Sequence, residues 1–156
     1  AGHDAEALQE AAKLRDMHPD APASHTTIGL VHMHAGRYPE AEAAFVRAME
    51  LGPEPVGQLY LAAARAQMGR PDDAEKMLSA MTPRIEQGLA SPTVIAGLHG
   101  ALGRNDEAFV WFDRALAARD PNMVFLTTLP IAETVRTDPR WPALIRRIDT
   151  ASGSTS

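Results

Sequence analysis

A ten-residue pattern occurs three times in this chain, and its period constrains the fold more than any other feature. Residues 36–45 read GRYPEAEAAF, residues 69–78 read GRPDDAEKML, and residues 103–112 read GRNDEAFVWF. Gly36 and Gly69 are 33 residues apart, and Gly69 and Gly103 are 34 apart. The alanines five residues on, Ala41, Ala74 and Ala108, keep that spacing. A period in this range belongs to arrays of helical hairpins, whose single units bury too little apolar surface alone and are stabilised by their neighbours.

Each copy opens a helix. Behind Ala41 the apolar residues fall at Ala44, Phe45, Ala48 and Met49. Behind Ala74 they fall at Met77, Leu78 and Met81, and behind Ala108 at Trp111, Phe112, Ala115 and Leu116. Three- and four-residue steps put such side chains on one helical face. A second helix precedes each glycine on the same rule. Its stripes are Ile28, Val31, His32 and Ala35; then Leu61, Ala64, Arg65 and Met68; then Ile95, Leu98, His99 and Leu102. Glycine suits the left-handed residue that ends a helix. Pro39 and Pro71 suit the first turn of the next one, where a missing N–H costs nothing. Small residues at Gly29, Ala62 and Ala96 let the paired helices approach closely.

On these residues the chain resembles a tetratricopeptide repeat array. The family pattern of a small residue in the first helix, Gly in the turn, then Ala, an aromatic, Ala and a closing Pro matches Gly29, Gly36, Ala41, Phe45, Ala48 and Pro53. The third copy matches at Ala96, Gly103, Ala108, Phe112 and Ala115, with Pro121 one residue late. The middle copy keeps Ala62, Gly69 and Ala74 but has Leu78 for the aromatic and Met81 for the alanine. The resemblance implies an all-α fold, a right-handed α-α superhelix (solenoid) of tetratricopeptide-type hairpins with a C-terminal capping helix.

The expected layout is a single helical-repeat domain over residues 1–150. It divides into a half-repeat or capping helix (4–21), repeats at 22–54, 55–88 and 89–121, a C-terminal cap (122–150) and a flexible tail (151–156). The first helix carries Ala7, Leu8, Ala11 and Leu14, and a bare half-repeat leaves an apolar flank unburied, so a longer array cut at this point is favoured over a cap. Pro83 should end the second helix of the middle repeat near Met81, with a further short turn through Gly88. The stretch Met123, Val124, Phe125, Leu126, Leu129 and Ile131 is too apolar for a linker and should fold onto the last repeat. Asp138 should cap a final helix whose inner side is Trp141, Leu144, Ile145 and Ile148. The layout LP…ETVRTDPRWPALIRRI is similar to the closing segment of repeat domains at the C-termini of bacterial signalling proteins, which implies a sensor or adaptor role.

Composition narrows the chemistry. A grip on nucleic acid needs a basic face to neutralise phosphates, and the net charge of −5 argues against it. The absence of cysteine removes disulfides and thiolate zinc sites. No apolar run suggests a membrane span, and with no targeting signal the working location is cytoplasmic. No nucleophile elbow, phosphate loop or paired-carboxylate site stands out, so no catalytic residue, metal ligand or cofactor is assigned and an enzyme is not expected. His25 and His32 stand where the family places apolar or aromatic residues. His32, Arg65 and His99 share one repeat position and would form a polar ladder, read either as an anion site or as side chains with solvated tips. Arg136, Arg140, Arg146 and Arg147 cluster near the end, read either as the solvated charge that suits a helix C-terminus or as a basic docking patch, the first being favoured.

The resemblance assigns the concave groove to Thr26, Leu30, Met33, Leu59, Ala63, Ala66, Thr93, Gly97 and Gly100. The family's pocket for acidic peptide tails uses Lys, Asn and Arg at such positions, and they are missing here. Gly97 and Gly100 each cost about 1 kcal/mol against alanine in a helix. Something should therefore pack close to that backbone, either a partner's apolar segment or the chain's own residues 121–131. The expected function is a protein-interaction scaffold or adaptor that binds a partner peptide or helix in this groove. Self-association into a homodimer is the alternative.

Overall fold

A computed structural model of the chain describes residues 2–88, 90–128 and 130–153. Every regular element among the described residues is helical. The α-helices are α1 (Gly2–Met17), α2 (Pro22–His34), α3 (Tyr38–Leu51), α4 (Pro55–Gln67), α5 (Asp72–Met81), α6 (Pro92–Ala101), α7 (Asn105–Ala117) and α8 (Trp141–Gly153). Short 3-10 turns occupy Thr82–Arg84, Pro121–Phe125 and Pro130–Val135. The all-α class expected from periodicity is therefore present. The chain divides into two compact units, residues 1–74 and 75–156, and the boundary falls inside α5.

In the first unit α2 packs against α1, α3 and α4, and α3 packs against α4. Phe45 of α3 is fully buried and packs against α2 at Gly29. A β-carbon on Gly29 would come within 2.6 Å of Phe45 Cδ1 and 2.8 Å of Cζ, closer than real contacts allow. Phe45 also stacks on Tyr60 of α4, with ring centroids 6.1 Å apart and an interplanar angle of 21°. Ala41, Ala48 and Ala62 to Ala64 fill the remaining space at 1% exposure or less. Such a dry setting pushes the Tyr60 phenol up to about 12.

In the second unit α6 and α7 form a hairpin around Ile95, Leu98 and Phe112, all fully buried. Trp141 of α8 meets Phe112 edge-on at 6.5 Å, and Leu144 and Ile148 bury the rest of that helix's inner side. The Asp138 carboxylate accepts the Arg140 backbone N–H at 3.0 Å, so it caps the segment leading into α8. Arg140 stacks on Phe109 at 4.3 Å and reaches Asp106 at 2.9 Å. Met123 and Leu126 are buried as expected of the post-repeat stretch, while Val124 is exposed and Leu129 lies outside the described residues. α5 stops at Met81, two residues before Pro83. α8 runs to Gly153, past the expected start of the tail; residues 154–156 lie outside the described residues.

The turn glycines behave as the period requires. Gly36, Gly69 and Gly103 have φ of 69°, 75° and 73°. Each N–H bonds to a carbonyl three residues back, and the next N–H to one five residues back, which satisfies the open helix end. The C-terminus of α7 makes the same pair of bonds, Arg119 N to Leu116 O at 3.1 Å and Asp120 N to Ala115 O at 2.9 Å. There the left-handed residue is Arg119, with φ of 51°.

Two stability effects follow. Gly29→Ala should destabilise the chain by about 1–2 kcal/mol in urea unfolding, because overpacking against a rigid ring outweighs the helix-propensity gain. The loss should shrink in a Phe45→Leu background, which a double-mutant cycle reads directly. Arg119→Gly should stabilise by about 0.5–1 kcal/mol, because it relieves a left-handed conformation at an exposed site; an unchanged or lower midpoint contradicts this.

Candidate partner-binding surface

The nine residues assigned to a groove divide between the units. In the first unit Thr26, Leu30 and Met33 lie along α2, and Leu59, Ala63 and Ala66 along α4, at four- and three-residue steps that keep each set on one stripe. Thr26, Met33 and Ala63 are buried. Leu30, Leu59 and Ala66 are partly exposed. Thr26 is wedged between the helices: its Oγ1 would lie 3.2 Å from a β-carbon on Gly57 of α4. That hydroxyl is buried without a partner among the described residues. The face therefore has a closed floor and a partly open apolar rim.

In the second unit Thr93, Gly97 and Gly100 follow the same steps along α6, and all three are buried. The chain itself covers this helix. A β-carbon on Gly100 would come within 2.8 Å of Val135 Cγ1 and 3.2 Å of Thr134 Oγ1. Val135 is fully buried. The close-packing object that Gly100 implied is thus residues 134 and 135, just beyond the 121–131 stretch considered from sequence.

Thr93 is held by a buried carboxylate. Asp120, 8% exposed, follows α7. Its Oδ2 accepts from Ser91 Oγ at 2.5 Å, Thr93 N at 3.0 Å and Thr93 Oγ1 at 2.9 Å. Its Oδ1 accepts from the backbone N–H and side-chain amide of Asn122, each at 3.0 Å. Burial pushes this carboxyl up, but the donors from Ser91, Thr93 and Asn122 outweigh it and hold the group below its ordinary value. Ser91 in turn accepts from Val94 N at 3.3 Å, so it acts as the N-cap of α6 rather than as an activated nucleophile. A depression of about 420 Å³ beside Pro92 and Pro121 is lined by these engaged groups. No sequence motif flagged Asp120. The available signal was Ser91-Pro92-Thr93, a cap sequence, together with the Asp-Pro step that follows α7.

The residues of the polar ladder have different surroundings. Arg65 donates to Glu42 at 2.8 Å and to Asp73, and Arg70 also pairs with Glu42. The hydrogen bonds from Arg70 and Arg65 lower Glu42, while those to Asp73 and Glu42 raise Arg65. Arg65 is therefore already neutralised by carboxylates of its own unit. His32 and His99 each keep a buried Nδ1 without a partner among the described residues. Burial, then Arg37 for His32 and Arg104 for His99, holds both rings below the ordinary imidazole range. His25 contacts the Pro19 carbonyl at 2.9 Å through Nε2. Among the described residues, no three His, Asp or Glu side chains converge on a metal position.

No protein-family model, curated protein or solved structure matches this chain. Chemically, the α2–α4 face can bury apolar side chains of a ligand. The polar clusters of both units are engaged in holding helices together.

Asp120→Asn should destabilise the chain by about 2 kcal/mol at pH 7, because an amide cannot accept from all the donors that converge there. The sign of the pH effect follows from the lowered carboxyl. Its contribution is present above the unfolded value near 3.8 and is lost as pH falls through the lower folded value. Urea unfolding of both proteins should therefore converge toward acid; a gap that stays constant with pH contradicts this role.

Proposed function

We propose that the chain is a tetratricopeptide-type repeat module that binds an apolar segment of a protein partner on the α2–α4 face. One observation carries the reading: Leu30, Leu59 and Ala66 are partly exposed on two packed helices above a buried floor that includes Ala63 and Met33. Partly exposed apolar side chains on a closed surface gain free energy when a second apolar surface removes them from water. The contact of Val135 with Gly100 supports branched apolar side chains as the partner chemistry, since the chain itself buries one on an inner helix face. The net charge of −5 favours a protein partner over nucleic acid. Among the described residues, no helix is long and apolar enough to cross a membrane. The adaptor role within a bacterial regulatory protein and a cytoplasmic location belong to the same proposal.

The exposure of α1 favours self-association as a second reading. Met17 is 66% exposed, and Leu8 and Leu14 are partly exposed. A homodimer through that helix would cover them.

Leu30→Asp combined with Leu59→Asp should weaken partner capture at least about 10-fold while leaving the circular dichroism unchanged, because two contact residues become charged and solvated. The bait is the purified chain against lysate of the source organism, with binding then measured on the captured protein. A partner held equally by both forms rules out this face. A concentration-dependent dimer in sedimentation, abolished by Met17→Asp, supports the second reading instead.

A further inference from the structure

The net charge of −5 is not spread evenly along the chain. Residues 1–74 carry eleven Asp and Glu against six Lys and Arg, whereas residues 75–156 carry nine of each. The excess therefore belongs to the unit that holds the α2–α4 face. Five of that unit's six cations are already matched: Lys13 by Glu10, Arg15 by Asp16, Arg47 by Glu50, and Arg65 and Arg70 by Glu42. The sixth, Arg37, follows the C-terminus of α2. At the N-terminal end of the face the charge is negative. The two inner helices begin side by side there. A β-carbon on Gly52 would lie 3.4 Å from Cγ of Pro22, the first residue of α2, and one on Gly57 of α4 would lie 3.2 Å from Thr26 Oγ1. Asp20 and Glu54 stand just before these helix starts, Asp20 exposed and Glu54 partly so. A carboxylate suits a helix N-terminus, but Glu54 is the N-cap residue of α4 and its side chain makes no cap hydrogen bond. Its stem lies instead over Gly57, with Cγ 3.0 Å from the same β-carbon position that the buried Thr26 hydroxyl approaches. Neither the Thr26 hydroxyl nor the Glu54 carboxylate has a partner among the described residues.

We propose that Glu54 selects the charge of the partner: the segment that lies on the α2–α4 face carries a Lys or Arg beside its apolar residues, and that cation pairs with the Glu54 carboxylate at the N-terminal end of the face. This role rests on the partner-binding reading and gives that partner its chemistry. Thr26 starts the stripe that continues through Leu30 and Met33, so a segment whose apolar side chains meet Leu30 and Leu59 has neighbouring residues beside Glu54. The carboxylate is only partly exposed, and salt screens a partly buried pair less than one in open water. Asp20 adds a second negative charge on the same edge, and the unit's excess of carboxylates draws a cationic segment in. An acidic segment meets repulsion at that edge, so discrimination comes from the disfavoured partner as well as from the favoured one.

A display library of random peptides, selected on the immobilised chain, tests this without the natural partner in hand. The selected peptides should combine apolar residues with an excess of Lys and Arg, and their synthetic forms should bind less tightly as salt rises. Glu54→Gln should weaken these peptides about 5- to 10-fold. Glu54→Lys should turn a fresh selection toward acidic peptides, a reversal that a merely structural role of Glu54 would not produce. Both variants keep the backbone carbonyl that accepts the Gln58 N–H at 2.9 Å and starts α4, and an unchanged circular dichroism spectrum identifies the folded protein. Selected peptides without a cationic excess, or basic peptides held equally by the Glu54→Lys form, overturn this role of Glu54. Loss of those same peptides from the Leu30→Asp, Leu59→Asp form then leaves the α2–α4 face standing. Peptides held equally by that double variant remove the face itself, and the role of Glu54 with it. A library that gives no binder overturns both.

Discussion

Phe45 occupies the space that any side chain on residue 29 would need. The first unit depends on that contact. It sets how closely α3 approaches α2, and the same ring stacks with Tyr60, which brings in α4. Closely packed helices leave no room for large side chains between them, which is why Ala41, Ala48 and Ala62 to Ala64 fill the interior. A core built of alanines gains little free energy per residue from burial. The aromatic stack therefore carries a large share of the stabilisation, and the α2–α4 face is held in place through it.

Features that backbone geometry imposes on residue type were legible in the sequence. Gly36, Gly69 and Gly103 had to be left-handed, and they are. Pro83 had to stop a helix, and α5 ends before it. The stripes of Phe45, Phe112 and Leu144 showed their inner sides because three- and four-residue periodicity is local. Arg119 escaped notice because an arginine can take the left-handed conformation at a cost, so its identity does not announce it. The two-unit division was also invisible, since the repeat period runs straight through α5.

Polar partnerships were less readable, because residues far apart in sequence meet only after the helices pack. Arg65 shares its repeat position with His32 and His99, and periodicity alone grouped the three. The fold gives Arg65 two carboxylates, from Glu42 on the preceding helix and Asp73 on the following one. The two histidines instead keep a ring nitrogen without a partner among the described residues. An equivalent position thus holds a pinned charge in one repeat and, in the others, rings held below the ordinary imidazole range by burial. Asp120 shows the same limit: its donors Ser91 and Thr93 lie almost thirty residues upstream, and only the packing of α6 beside the end of α7 brings them to its carboxylate.

Side-chain size at the inner positions explains why the two units present different faces. The series Leu30, Ala63, Gly97 and the series Met33, Ala66, Gly100 both shrink along the chain in step with the repeat. Where the side chains are large, on α2, they fill their own surroundings: Met33 is buried and Leu30 only partly exposed. Where they vanish, on α6, the surface would be a furrow of bare helix backbone, which is poorly stabilised and needs an occupant. Val135 meets that need from within the chain. The alanines on α4 are intermediate: Ala63 is fully buried and Ala66 partly exposed. A residue added to α6 competes with Val135, whereas one removed from α2 or α4 opens space that no other part of the first unit stands ready to fill. The glycine face takes an occupant that inserts, Val135 of the chain itself, whereas the partner proposed for the α2–α4 face would lie across it.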